Sequence, residues 1–107
     1  MDLVHHMMFV CEIMYNKYNI NLYKLDDWKY ARRCAATSSE LDAKVQIRNL
    51  FDTLRREVGL RQPTYHEQLL SIKALNAEIE ELLNLNTHQL ISMVNEIHNK
   101  NSSHSST

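Results

Sequence analysis

The sequence has almost no residues that turn a chain sharply: one glycine and one proline among 107 residues. Strands and hairpins rely on such residues at their turns, so their scarcity argues against a β-sheet protein. Leucine, isoleucine, methionine, alanine, glutamate, lysine and arginine dominate instead, and most of these favour helices. The composition therefore predicts an all-α protein of at most one small domain.

The net charge is also small and cysteines are few, so neither specifies a function. The 12 basic and 13 acidic residues leave a net charge of -1, whereas strong non-specific binding to nucleic acid usually requires a basic surplus. Cys11 and Cys34 are the only cysteines, and two of them do not make a disulfide framework. We expect both to stay reduced in the cytosol or nucleus.

Long apolar runs and catalytic motifs are missing as well. The run Met7–Cys11 is interrupted by Glu12, lacks the flanks of a signal peptide, and is far shorter than the roughly 18 residues of a membrane span. There is no phosphate-binding loop, no nucleophile in a glycine-rich turn, no paired-carboxylate motif and no C-x2-C or H-x3-H pair. We therefore expect a protein that is neither secreted nor membrane-bound, that is no enzyme, and that has no metal site, cofactor or small-molecule substrate.

The first third of the chain is strongly apolar at helical spacing. Two adjacent apolar rows over residues 2–18 predict a helix that must pack on something, with its methionines and Phe9 in the core. A connector and a short helix from Trp28 to about Ala35, capped by Asp26 or Asp27, follow. These elements make an N-terminal helical segment over residues 1–36.

Residues 37–99 carry the most informative pattern. Thr37-Ser-Ser-Glu40 has the spacing of a capping box, so a helix is predicted from near Ser38 to Val58. Gly59 stands where a left-handed helix stop is easiest, and Pro63 prevents the helix from continuing. A second amphipathic helix begins near His66 and has its apolar residues at Leu69, Ile72, Leu75, Ile79 and Leu82.

The pattern beyond Leu82 leaves two structures open. Heptad spacing from Ile79 to Ile97, with Asn86 as one polar residue in the seam, is typical of a short zipper. Alternatively, Thr87 caps a separate final helix that packs on the N-terminal segment, because the residues around it are poor helix formers. Residues 100–107 are polar and are predicted to form a disordered tail.

The helix that ends at Val58 presents one apolar stripe, formed by Ile47, Leu50, Phe51, Leu54 and Val58. With its loop and the second helix, the chain over residues 36–85 resembles the basic helix-loop-helix (bHLH) family, above all its Myc/Max-like leucine-zipper branch. The resemblance implies a four-helix dimer in which these faces contact a partner chain. The expected partner-binding residues are Ile47, Leu50, Phe51, Leu54, Val58, Ile72, Leu75, Ile79, Leu82 and Asn86. The same periodicity is also found in a core helix of a monomeric bundle.

The basic region of the family is degenerate in this chain. Glu40 stands at the position of the glutamate that reads bases, but Leu41, Asp42 and Ala43 replace most of the arginines that would follow it. Only Glu40, Lys44 and Arg48 remain as weak candidates for DNA contact, and lost phosphate contacts lower affinity. A capping box would also end the helix where the basic region should continue, and Glu40 then serves as a first-turn carboxylate.

These observations predict a helix-loop-helix protein with an extra N-terminal helical segment and a C-terminal helix or short zipper. Its expected function is to regulate transcription, in a developmental setting and in the nucleus or in both nucleus and cytoplasm. It would do so by pairing with a bHLH or bHLH-zipper protein, or with itself, and would reach DNA weakly or through the partner. The alternatives are a weak bHLH transcription factor that binds DNA as a heterodimer, and a small helical bundle that acts as an adaptor or structural subunit.

Overall fold

Five helices make up the part of the chain that the computed structural model describes, which is residues 2–21, 25–37 and 39–105. They are α1 (Leu3–Lys17), α2 (Asp26–Thr37), α3 (Glu40–Leu60), α4 (Tyr65–Leu83) and α5 (Thr87–Ser105). The described residues contain no strand, so the all-α prediction is confirmed. No helix among them is both long and apolar enough to span a membrane.

Helix α1 lies at the centre of the bundle and contacts all four other helices. Asp2 caps it by accepting a hydrogen bond from the His5 backbone N–H at 2.9 Å. The six consecutive residues from Val10 to Tyr15 are all buried, which is the pattern of a helix surrounded by others. The expectation that this helix packs in the core is confirmed: Met8 and Met14 are buried, and Met7 and Phe9 pack against the core.

The two ends of α3 differ from the predicted ones. Thr37 is the last residue of α2, and Ser39 caps α3 by accepting a hydrogen bond from the Asp42 N–H at 3.2 Å. The capping box predicted from Thr37 to Glu40 is therefore wrong by two residues. At the other end Gly59 does not have a positive φ, and α3 continues through it to Leu60. A left-handed stop is unnecessary because the Gln62 N–H satisfies the Gly59 carbonyl at 3.0 Å in a tight last turn.

The sequence left open whether the chain beyond Leu82 continues as a zipper or starts a separate helix, and the structure shows a separate helix. Asn86 Oδ1 accepts a hydrogen bond from the Gln89 N–H at 2.8 Å, and Gln89 Oε1 accepts one from the Asn86 N–H at 3.2 Å. This reciprocal cap begins a separate helix, so no continuous zipper runs from Ile79 to Ile97. Helix α5 also continues to Ser105, through most of the tail predicted to be disordered, while residues 106 and 107 lie outside the described part.

Polar contacts fix the directions of the helices around α1. The Arg61 guanidinium, after the end of α3, donates to the Tyr18 carbonyl at the end of α1, so these two helices run parallel. His6 Nε2 donates to the Leu83 carbonyl at 3.0 Å, and Lys17 pairs with Glu78, so α4 runs antiparallel to α1. The core lies where α1 meets α2, α3 and α4, and it extends to α5 through Leu90 and Val94.

Candidate partner-binding site

The predicted partner-binding stripe faces the inside of this chain. Phe51 is 5% exposed. The other buried members of the predicted set are Ile47, Leu50, Leu54, Val58, Leu75 and Ile79. Ile72 and Leu82 are half-buried, and Asn86 is exposed, where it caps α5. The structure thus brings the α3 and α4 residues of the set together, and it separates Asn86 from them because that side chain belongs to a helix terminus.

Helix α1 of the same chain packs against α3. Tyr15 on α1 is fully buried, and its hydroxyl donates to the Leu50 carbonyl on α3. Burial raises the pKa of Tyr15 above its ordinary value, because a phenolate would lose its hydration there. The phenol therefore stays protonated at neutral pH and donates this hydrogen bond.

One stretch of the stripe lies beside an open groove. The groove is formed by α1, α3 and α4 and has a volume of about 470 Å³. Its residues are Met7, Phe51, Arg55, Asn76, Ile79, Glu80 and Leu83. Phe51 and Ile79 line the groove although each is only 5% exposed. The groove is therefore bordered by apolar side chains that belong to the core.

The polar rim of this groove is held in place by hydrogen bonds. Arg55 Nε donates to Asn76 Oδ1 at 2.7 Å, and Arg55 Nη1 donates to Asp52 Oδ1 at 2.8 Å. The guanidinium therefore bridges α3 and α4 at the edge of the groove. Glu80 follows one turn after Asn76 on the same edge of α4. Groups of both charges thus border an apolar groove, and a few polar groups around apolar side chains can fix the orientation of a bound ligand.

A second, smaller cleft lies between α1, α4 and α5. It has a volume of about 250 Å³, and its residues are Ile13, Met14, Lys17, Glu78, Glu81, Leu82, Leu85 and Met93. Its mouth carries the Lys17–Glu78 ion pair, and the Tyr18 hydroxyl donates to the same Glu78 carboxylate at 3.3 Å. The hydrogen bond to Glu78 raises the pKa of Lys17 above its ordinary value, so the ammonium stays charged.

One polar pair that joins α1 to α5 was not predicted from the sequence. Glu12 is 5% exposed, and its Oε1 lies 2.5 Å from His98 Nε2. A buried carboxylate needs a hydrogen-bonded partner, and the imidazole provides one. The signal in the sequence was the single acidic residue within the apolar helix. Its partner, 86 positions away, could not be predicted from spacing.

The residues assigned to weak DNA contact do not form a basic surface. Lys44 Nζ lies 3.2 Å from Glu40 Oε1, so the ammonium is paired with the carboxylate one turn before it. Arg48 is exposed on the same helix. Helix α2 packs against α3, and Cys34 and Ala35 lie next to Ala43. The chain therefore folds back between α2 and α3, and α3 is not extended by a continuous basic helix.

The described residues also provide no metal site. Cys11 and Cys34 are both buried thiols, and burial raises the pKa of Cys11 above its ordinary value. No group of three His, Cys, Asp or Glu side chains converges in the described part of the chain. Comparison with protein families, with curated proteins and with solved structures finds nothing that matches this chain. The resemblance to the bHLH family therefore stays a prediction.

Proposed function

We propose that this protein is a protein-binding module: a self-contained helical bundle that acts as an adaptor or subunit by holding an apolar helix of a partner in the groove between α1, α3 and α4. The observation that carries the proposal is the apolar groove of about 470 Å³ where Phe51 and Ile79 border Met7 and Leu83. It acts by binding rather than by catalysis, since the groove contains no nucleophile paired with a base.

The shape and chemistry of the groove support a helical ligand. Two roughly antiparallel helices, α3 and α4, form its walls, and a partner helix can lay apolar side chains between them at spacings of three and four residues. The Arg55 guanidinium, already oriented by Asp52 and Asn76, offers a donor at the rim. Because Arg55 is already held by these bonds, its side chain loses less conformational entropy when it binds a partner carboxylate.

A second candidate is helix-loop-helix pairing with a bHLH protein in transcriptional regulation. The observation that favours it is the single apolar face that α3 and α4 share across a short loop, with Leu54 and Leu75 both fully buried. This candidate requires α1 to leave that face so that the partner chain can replace it. The exchange would expose the residues of α1 from Val10 to Tyr15, which are all buried in the bundle. That exposure is unfavourable unless the partner covers the same surface.

Site-specific photo-crosslinking tests the groove directly. A benzoylphenylalanine at Leu83, in the groove, is compared with the same residue at Glu96, which is exposed on α5. We expect a discrete crosslinked partner from position 83 and none from position 96, and we expect Met7→Glu to abolish the adduct. Equal crosslinking from both positions would contradict a specific groove.

Mixing experiments separate the two candidates. If the chain is a self-contained bundle, its melting temperature does not depend on protein concentration, and a purified bHLH-zipper domain leaves its sedimentation unchanged. If it pairs as a helix-loop-helix, the melting temperature rises with concentration or with the added domain. Phe51→Asp is unsuitable for this purpose, because a carboxylate at this buried position would unfold the bundle under either candidate.

A further inference from the structure

We propose that the cleft between α1, α4 and α5 is a second docking site, which takes one bulky apolar side chain of a basic peptide segment. The site is distinct from the groove of the proposed function. Glu80 and Leu83 on α4 face that groove, whereas Glu78, Glu81 and Leu82 on α4 face the cleft. The two sites therefore lie on opposite sides of the C-terminal half of α4.

The cleft exists because α4 and α5 both pack on α1 and scarcely pack on each other. The turn at residues 84–86 ends α4 and starts α5 with the Asn86 cap, so α5 leaves in a new direction. The space left between the two helices is walled by the apolar side chains of Ile13, Met14, Leu82, Leu85 and Met93. The two methionines are flexible enough to adjust to an inserted group.

The size of the cleft selects the kind of occupant. Its volume is about 250 Å³. Small-molecule and cofactor sites are larger, about 300–1,000 Å³, whereas an apolar cavity of about 150 Å³ already holds a benzene ring. The cleft therefore suits a single leucine, phenylalanine or tryptophan side chain. A buried anchor of this kind is the usual centre of a protein interface.

The charged residues at the cleft determine which residues of a partner can stand next to that anchor. Two carboxylates, Glu78 and Glu81, and one ammonium, Lys17, surround the opening, which leaves one excess negative charge. Glu78 is paired with Lys17, and Glu81 is exposed next to them. A lysine or arginine beside the anchor would meet this excess carboxylate, whereas an acidic flank would be repelled.

Two labelled model peptides test the proposal on the full-length protein. Both are alanine-based helices of about 16 residues with one central phenylalanine, flanked by lysines in one peptide and by glutamates in the other. Fluorescence anisotropy should show binding of the lysine peptide alone. Replacing its phenylalanine by alanine should weaken binding by at least about thirtyfold, as expected for an interface anchor.

Protein variants then locate the binding. Met93→Trp should fill the cleft and abolish binding of the lysine peptide. Glu81→Lys should weaken it about two- to fivefold, the size expected for an exposed ion pair. The matched control is Glu57→Lys, which makes the same charge change at an exposed position on α3 that does not line the cleft. Circular dichroism confirms that each variant is folded. If Met93→Trp is not folded, Leu82→Phe is used to fill the cleft instead.

The proposal would be overturned if the two peptides bound equally or if neither bound. It would also be overturned if Glu57→Lys weakened binding as much as Glu81→Lys does. Lysine-peptide binding that is unchanged when the cleft is filled would have the same consequence. Met7→Glu, which lies in the other groove, should leave this binding intact. Failure of the second site and failure of the proposed function are therefore distinguishable.

Discussion

Replacing Met14 by alanine tests whether α1 is an integral part of the core. Met14 lies in the last turn of α1, is fully buried, and is outside the region that resembles a helix-loop-helix. Truncating a buried methionine removes its apolar contacts and leaves a cavity, at a cost of about 2–5 kcal/mol. The whole bundle is expected to be stable by about 5–15 kcal/mol, so the loss is a large fraction of the total.

The expected change is readily measured by thermal unfolding. For a chain of this size each kcal/mol corresponds to about 4 °C, so Met14→Ala should lower the melting temperature by about 8–20 °C. Circular dichroism at 222 nm follows the transition at two protein concentrations roughly a hundredfold apart. The matched control is Leu3→Ala on the same helix, because Leu3 is 54% exposed and should change stability by no more than about 0.5 kcal/mol.

Two results would refute this reasoning. A Met14→Ala shift no larger than the Leu3→Ala shift would mean that α1 is not packed into the core. A melting temperature that rises with concentration in the unmutated protein would mean that association is part of folding. In that case the stripe on α3 and α4 would be completed by another chain, and α1 would be an accessory element.

Three further predictions follow from individual contacts. Gly59→Ala should raise the free energy of unfolding by about 0.5–1 kcal/mol, since a Cβ would lie 3.5 Å from Ile72 Cδ1, an ordinary contact. A lower free energy of unfolding in urea denaturation would contradict this. Tyr15→Phe should lower it by about 1 kcal/mol through the lost hydrogen bond to Leu50, and an unchanged urea midpoint would argue against that bond. Asn86→Leu should cost about 0.5–2 kcal/mol as a lost cap, with no self-association in sedimentation, whereas stronger association would favour a zipper.

The apolar stripe on α3 is covered within the chain, so its periodicity alone does not establish a regulatory function. An amphipathic helix specifies that one face must be buried, but the same pattern fits a core helix and a dimer interface. Here Leu50 and Leu54 are covered within the chain by a bundle that has α1 at its centre. Phe51 and Ile79 line the open groove, together with Met7 from a helix that lies outside the resemblance.

Local chemistry in the sequence determined the helices themselves. The scarcity of glycine and proline and the apolar periodicity predicted an all-α chain. The breaks between α2 and α3 and between α3 and α4 were predicted because capping and turn residues act within three or four positions, whereas the sequence left the break at residues 84–86 open. Errors at the caps were small for the same reason: Ser39, rather than Thr37, supplies the side-chain oxygen, and adjacent hydroxyl residues compete for that role.

Only the tertiary structure decided what each apolar face packs against. The burial of Glu12 against His98 and the pairing of Tyr15 with Leu50 join positions 86 and 35 residues apart. Both grooves likewise combine residues from three helices. Periodicity carries no information about such distant partners, because it reports which side of a helix avoids water and not which neighbour covers it. The sequence therefore determined the elements and their apolar faces, and packing around α1 decided which of those faces remain available for binding.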